Sequence, residues 1–211
     1  MIRQRTYDHD GRRGQGLEEF ALILPIILAI VVSVGELGLM YGKVSSLGYG
    51  SREGARTASA LALGDASLCS PGDRDPSLVD AVALSAVQRI LKSPDAGIDL
   101  NQVLEVRIFR ATSTGAEDGG FVNIWRYGGP SSGPDVDEGP GRARIDFVPV
   151  QVNWPACDRN NGANPDSLGV TVRYRYQFVT PLPAIADAIS GGALNVTLSE
   201  TTVMALNPTV G

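Results

Sequence analysis

Residues 20–41 of the chain read FALILPIILAIVVSVGELGLMY, and Glu36 is the only residue in the run that is charged at neutral pH. At about 1.5 Å of rise per residue, a helix of this length crosses a hydrocarbon core of roughly 30 Å. The alternative is a buried core helix of a soluble domain, but such helices are rarely apolar on every side over this length. The stretch therefore predicts a transmembrane helix.

The charges that flank this span are asymmetric. Four arginines precede it: Arg3, Arg5, Arg12 and Arg13. The nearest basic residue after it is Lys43. Because basic flanks stay in the cytoplasm, we expect a single-pass protein of the cell (inner) membrane, with the N-terminus cytoplasmic and the body outside.

The segment around the start of the span has a recognisable pattern. Residues 12–25, RRGQGLEEFALILP, resemble the processing site of type IV pilin-like precursors. The resemblance makes Gly14 the last residue of a leader peptide, cut by a prepilin peptidase, and Gln15 the first residue of the mature chain. It also makes Glu19 and Phe20 the acidic and aromatic pair that follows, with Glu19 expected to pair with a mature N-terminal amine.

The sequence beyond the processing site narrows the family. Residues 14–59, which include GELGLMYGKVSSLGYGSREGARTAS, are similar to the N-terminal region of TadE-like proteins of tight-adherence (Flp) pilus systems. Glu36 and the REGAR run at Arg52–Arg56 are the best-matching details. The resemblance implies a minor pseudopilin, a structural subunit in the assembly of a pilus or a related secretion apparatus. The partners it implies are other pseudopilins or pilins, the inner-membrane pilus assembly platform and the lipid bilayer.

Glu36 lies 16 residues beyond Phe20. At 1.5 Å per residue this is about 24 Å along the helix axis, which places Glu36 near the outer interface. An ionisable group at that depth is a candidate contact for a basic group of a partner subunit during assembly. The alternative is a side chain that simply reaches the aqueous interface.

The helix is predicted to continue beyond the membrane to about residue 66. Its apolar positions follow a helical stripe: Val44, Leu47, Ala55, Ala58 and Ala62. Arg52 and Arg56 are four residues apart and share a different face, where they are candidates for docking or lipid contact. The alternative is that they solvate an exposed surface. Within the span, Ala29, Ser33 and Gly35 offer small side chains for close helix packing.

The body, residues 67–211, is predicted to be an α+β domain with an antiparallel sheet. Asp75-Pro76 starts a second helix, expected from about Pro76 to Lys92. Alternating apolar and polar residues predict five strands, in the stretches 104–108, 121–127, 145–152, 170–178 and 194–205. A sheet of such strands packs one face against helices and exposes the other face to solvent.

Two turn-rich segments separate these elements. Residues 128–141, GGPSSGPDVDEGPG, and 158–166, DRNNGANPD, have no periodicity and are expected to be surface loops, the first of them mobile. Their acidic residues suggest calcium binding. The spacing of these residues does not match an EF-hand loop, so no metal site is predicted.

Other function classes have little support in the sequence. The single histidine, His9, lies in the leader, so the body has no histidine base or ligand. No nucleophile, zinc or phosphate-binding motif is present, and we expect no cofactor and no catalysis. Residues 15–211 carry 14 basic and 21 acidic side chains, which argues against nucleic-acid binding.

Cys69 and Cys157 are the only cysteines. In an exported body they are expected to form a disulfide. The rival functional class for the whole chain is an uncleaved, membrane-anchored extracytoplasmic binding or adhesive domain. Loss or retention of residues 1–14, the predicted leader, separates the two functions.

Overall fold

The computed structural model describes residues 11–61, 77–137, 142–160, 162, 164–181 and 195–206. Two compact units are present: Met1–Leu39 with Phe178–Leu194, and Met40–Gln177 with Asn195–Gly211. The helices are α1 (Gly11–Ala60) and α2 (Ser77–Leu91). The strands are β1 (Val103–Ala111), β2 (Glu117–Tyr127), β3 (Asp135–Asp137), β4 (Arg142–Arg144), β5 (Phe147–Val152), β6 (Ser167–Tyr176) and β7 (Val196–Ala205). The predicted α+β class, with a long N-terminal helix and an antiparallel sheet, is confirmed.

Helix α1 is a single helix of 50 residues that includes Pro25. It ends at Ala60, where the N–H of Leu61 donates to the carbonyl of Thr57 at 3.1 Å. The predicted boundary at about residue 66 is therefore too late, and residues 62–66 lie outside the described part of the chain. Gly64 and Asp65 follow closely in the sequence, and both residue types have low helix propensity.

The last three turns of α1 bury one narrow face. The buried residues of this face are separated alternately by three positions and by one: Leu47, Gly50, Ser51, Gly54, Ala55, Ala58 and Ser59. All but Leu47 are small, so neighbouring elements approach the helix backbone closely. A Cβ atom at Gly54 would lie 2.4 Å from Val87 Cγ2 of α2, which shows how tightly the two helices pack. The predicted stripe is confirmed at Leu47, Ala55 and Ala58. Val44 is only half-buried, and Ala62 lies outside the described residues.

Helix α2 is buried along most of its length, including Leu84, Val87 and Leu91. It matches the predicted second helix to within one residue at each end. Ser93 and Pro94 end it, because Pro94 begins a 3₁₀ turn, Pro94–Ala96, and a proline disfavours helical geometry in the residue before it.

The five long strands form one antiparallel sheet in the order β5-β2-β1-β6-β7. Central strands β1 and β6 pair along nearly their whole lengths, from Val103↔Tyr174 to Ala111↔Ser167. The alternation that predicted the strands also decides which side chains are buried, and Val106, Ile108, Val170 and Val172 lie in the core. All five predicted strands are present.

The segment predicted as an irregular loop, residues 128–141, differs from that expectation in its described part. Strand β3 lies inside it and pairs with β4, and Val136 is fully buried. The approach to β3 is tight, because a Cβ at Gly133 would lie 2.0 Å from the carbonyl oxygen of Phe147. The glycine, with its N–H bonded to the carbonyl of Ile145 at 2.8 Å, allows a closely packed hairpin where composition alone indicated a loop.

Candidate functional site

The predicted processing junction lies within helix α1, since the helix begins at Gly11 and the described backbone is helical at Gly14 and Gln15. A protease that cleaves there must first open the helix. Glycine lowers helix stability by about 1 kcal/mol relative to alanine, and the sequence GRRGQG places three glycines in the first six residues of the helix. The predicted junction thus lies in a part of α1 with low helix propensity.

Beyond the junction, large apolar side chains project from the helix on all sides. Leu22, Ile26, Val31 and Val34 are all exposed. The helix from Gly16 to Ala60 contains an 18-residue window of mean hydropathy 2.5, of which 6% is buried. Apolar surface that no described residue covers requires an apolar surrounding. This one N-terminal helix fits a single-pass membrane anchor.

Glu19 and Phe20 lie on the exposed part of the helix, one turn beyond Gln15. Phe20 is more than half exposed, so its ring is available to a neighbouring helix. Their predicted roles in subunit assembly stay predictions, as does the cleavage after Gly14.

Glu36 is in a different environment from its neighbours, because only 4% of it is exposed. Its Oε1 accepts a hydrogen bond from the backbone N–H of Val179 at 3.2 Å, and its Oε2 accepts one from the N–H of Thr180 at 3.0 Å. These donors belong to the turn that follows β6 in the chain. Glu36 therefore binds backbone of its own chain, and its predicted contact with a partner subunit stays a prediction.

Arg52 and Arg56 lie on the exposed face of α1, as their spacing predicts. The guanidinium of Arg56 donates to Glu53 through Nε and Nη2, at 3.0 and 2.8 Å. The hydrogen bond from Arg56 lowers the pKa of Glu53 below its ordinary value. Arg52 lines two adjoining cavities of about 410 and 270 Å³. Docking through these arginines stays a prediction.

The segment from Gly14 to Arg56 thus begins in a helix start of low propensity and continues through an exposed apolar span. It also contains Glu36, whose carboxylate is hydrogen-bonded, and an exposed face with Arg52 and Arg56. Residues 14–56 match the family model of TadE-like proteins. The match coincides with the segment on which the resemblance rests, and it supports involvement in tight-adherence pilus systems. No curated protein and no solved structure matches the chain.

The TadE-like segment covers about a fifth of the chain. It does not include the body, whose polar contacts are therefore known from the structure alone. The most buried of them is an ion pair between Asp80 of α2 and Arg159, with Oδ1 and Nη2 2.5 Å apart and both side chains inaccessible to solvent. Asn123 of β2 donates to Asp80 Oδ2 at 2.6 Å and to the carbonyl of Trp154 at 2.8 Å. The guanidinium also lies 4.7 Å from the ring of Trp154.

Sequence reasoning missed this cluster. In the sequence, Arg159 belongs only to a turn-rich segment and lies 79 residues from Asp80. The available signal was Asp80 itself, a charged residue between apolar positions of α2, because a charge on a buried face requires a partner. The cluster holds α2, β2 and the segment after β5 together.

A second charged group lies on the sheet and bears on the question of catalysis. Arg107 contacts both Glu117, at 2.5 Å, and Glu105, at 3.1 Å, and Arg173 contacts Glu105 at 2.9 Å. Burial alone would raise the pKa of Glu105, but the hydrogen bonds and charges of Arg173 and Arg107 lower it below its ordinary value. An acid held ionised in this way is a poor proton donor.

Acidic side chains in both turn-rich segments have other contacts, and in the first Asp135 Oδ1 lies 3.0 Å from Arg144 Nε. In the second, Asp166 Oδ2 accepts the N–H of Asn160 at 2.8 Å, so this carboxylate closes the turn. Among the described residues there is no cluster of three or more histidine, cysteine, aspartate or glutamate residues suited to a metal ion.

Cys157 lies in a 3₁₀ turn, Ala156–Asp158, and is disulfide-bonded. Cys69, the only other cysteine of the sequence, lies outside the described residues. The pairing of Cys69 with Cys157 stays a prediction.

Proposed function

We propose that this chain is a TadE-like pseudopilin, a structural subunit in the assembly of a tight-adherence type IV pilus or a related secretion apparatus. The observation that carries the proposal is the family match over residues 14–56, which covers the predicted cleavage site and the whole uncovered apolar span. The structure of that span supports it, because a helix with large apolar side chains on all sides suits both lipid and a bundle of like helices.

The first step is removal of the leader by a prepilin peptidase of the inner membrane. The glycine-rich start of α1 opens, and cleavage after Gly14 creates a new α-amino group on Gln15. Such a group has an unperturbed pKa of about 7.7 to 8.0. At neutral pH it is largely cationic, at the edge of an apolar medium.

Glu19 supplies the counter-charge. It lies four residues after Gln15, on the same face of the helix, so it reaches either the amine of its own chain or that of a packed neighbour. The attraction between opposite charges is stronger in a low dielectric than in water. Loss of the carboxylate is therefore most costly when helices pack together and exclude water.

The span itself then packs laterally against other pseudopilins or pilins. Ser33 Oγ donates to the carbonyl of Ala29 at 2.7 Å, so this hydroxyl is satisfied inside its own helix and leaves a small surface for a neighbour. A Cβ added at Gly35 would meet nothing within 4 Å, so this position is open to a partner helix. We place the N-terminus in the cytoplasm and the sheet outside, and assign assembly with the inner-membrane pilus platform to this helix.

The test compares Gly14→Leu, Glu19→Val and the matched control Glu18→Val in native membranes. Leader removal is followed by immunoblot size, and partner recovery by pull-down and mass spectrometry. Gly14→Leu is expected to keep the leader. Glu19→Val is expected to be cleaved normally and to lose its partners, whereas Glu18→Val keeps both properties.

If the wild-type chain keeps residues 1–14 and recovers no pilin-like partner, the pseudopilin proposal is wrong. The chain is then an uncleaved, membrane-anchored binding or adhesive domain. If Glu19→Val is cleaved and still recovers partners at the wild-type level, the charge-pairing role of Glu19 is wrong, although the pseudopilin proposal stands.

A further inference from the structure

The turn at residues 178–181 contacts the helix at a point that lies within the apolar span. Val179 and Thr180 donate their backbone N–H groups to Glu36 at 3.2 and 3.0 Å. Glu36 is five residues before Tyr41, the end of the apolar run. At 1.5 Å per residue, the contact lies about 7 to 8 Å inside that end of the span.

A turn at this depth faces a strong physical constraint. Backbone N–H groups in a hydrocarbon region have no water to bind, and each one left unsatisfied costs several kcal/mol. Glu36 satisfies two successive donors of the turn. The same two bonds compensate the carboxylate, which explains how an acid is placed in this part of the span.

The side chains of the turn are suited to a lipid surface. Val179 is 73% exposed. Pro181 is also exposed and brings no N–H donor of its own. Phe178, on the other side of Val179, is half-buried. The outward surface of the turn is apolar at Val179 and Pro181. The backbone N–H groups of Val179 and Thr180 are directed to Glu36, and the hydroxyl of Thr180 is buried, away from that surface.

We propose that residues 178–181 form a second membrane contact, inserted into the outer leaflet and held there by Glu36. Its occupant is phospholipid, at the level of the upper acyl chains. Glu36 acts as a positioning residue, since it touches the turn and not the lipid. The proposal rests on the proposed membrane anchor and is independent of leader cleavage and of the pilus partner.

The test is photocrosslinking of the full chain in vesicles of phosphatidylethanolamine and phosphatidylglycerol. p-Benzoylphenylalanine is placed at Val179, at Leu28 as a positive control in the span, or at Val150 as a control on strand β5. Leu28 and Val150 are each 53% exposed, so differences in crosslinking report surroundings and not simple accessibility. Lipid adducts are counted by intact mass, and each sample is first floated on a density gradient.

The probe at Val179 is expected to give lipid adducts at a yield similar to that at Leu28 and several-fold above that at Val150. Glu36→Ala should lower the yield at Val179 several-fold and leave the yield at Leu28 unchanged. Glu36→Gln keeps one acceptor oxygen and should give an intermediate yield. Because Leu28 stays the reference in each background, a general loss of folding or insertion is separated from loss of the turn's position.

Vesicle-bound protein whose Val179 probe gives no more lipid adduct than the Val150 probe overturns the inference and leaves the anchor intact. So does a Val179 probe that crosslinks only to a second protein chain, because the turn then faces a subunit. Protein that fails to float with the vesicles overturns the anchor, and the inference falls with it.

Discussion

The two halves of helix α1 are continuous in backbone but differ in every other respect. From Leu22 to Val34 the helix carries large aliphatic side chains on all sides, and they are exposed. From Leu47 to Ser59 it carries mostly small residues on one face, and that face is buried. Among the described residues, the first half has no buried apolar side chain, whereas the second half is part of the core.

This difference shows how one helix is adapted to two surroundings. In the first half the apolar atoms are stabilised only by a medium that covers them, so side-chain size sets the contact area with lipid or with other subunits. In the second half the stabilisation comes from close packing, so small size matters because it lets α2 approach. A larger side chain should therefore be tolerated in the first half and should destabilise the packing of the second half. Changes in the core of the body should lower its stability and leave the anchor unaffected.

The largest expected effect is a loss of folding stability in the body, with no change in the anchor. Asp80→Ala leaves the buried guanidinium of Arg159 without its counter-charge, a change that typically costs about 3–5 kcal/mol. We expect native-state hydrogen exchange of β1 and β6 amides, measured in detergent, to accelerate strongly, while the amides of residues 20–35 keep their protection.

The control for this prediction is Glu53→Gln, which removes an exposed ion pair with Arg56 and should leave exchange in the sheet unchanged. The double substitution Asp80→Leu with Arg159→Met removes both charges and should recover most of the stability. If the single Asp80→Ala variant exchanges like the wild type, the buried pair does not hold the body together.

A smaller effect compares Gly54, on the buried face of α1, with Gly38, which lies between the exposed stretch and that face. Gly54→Ala places a Cβ 2.4 Å from Val87 Cγ2, and valine is stiff about χ1. Overpacking of this kind costs about 1–3 kcal/mol, more than the roughly 0.5–1 kcal/mol that alanine gains over glycine in a helix. At Gly38 the added Cβ meets nothing within 4 Å, so Gly38→Ala is expected to be neutral or slightly stabilising.

Urea midpoints of the body in detergent measure both variants. The double variant Gly54→Ala with Val87→Ala creates room for the new methyl and should recover part of the loss seen in Val87→Ala alone. Equal midpoints for Gly54→Ala and Gly38→Ala would show that the two positions do not differ in packing.

The smallest effect is the pH dependence of the body. The pKa of Glu105 is lowered in the folded state, so its contribution to stability is fully present above its unfolded value of about 4.3. That contribution is lost as the pH falls through the folded pKa, because protonation breaks the contacts with Arg173 and Arg107. Urea midpoints should therefore decrease below about pH 4.3 in the wild type, and less steeply in Glu105→Gln.

Asp118→Asn is the comparison for Glu105. The pKa of Asp118 is also lowered, by its hydrogen bond from Arg110, but this pair is more exposed, so the variant should flatten the profile less. Identical acid profiles for the wild type and Glu105→Gln would exclude a role for this carboxylate in stability.

Local patterns predicted the elements, because each depends on a short stretch of chain. The apolar run predicted the anchor, the spacing of Val79 to Leu91 predicted α2, and alternation predicted the five sheet strands. The β3–β4 hairpin was missed because a single buried residue, Val136, within a turn-rich segment has no period to detect.

The contacts of the candidate site were less accessible to sequence reasoning. Glu36 and Thr180 are 144 residues apart, and no local feature of either residue indicates the other. Asp80 required a buried partner on physical grounds, yet several arginines of the body were equally eligible. Long-range pairing of polar groups depends on how elements come together, and one sequence does not specify that.

The positions of Trp125 and Trp154 have a spectroscopic consequence. They are the only tryptophans, both are fully buried in the body, and residues 11–61 of helix α1 contain none. Both indole rings are shielded from water, which shifts their emission to short wavelength. Intrinsic fluorescence therefore reports the state of the sheet domain and is silent on the anchor. A helix variant with native emission has kept its body folded, whatever has happened to its assembly.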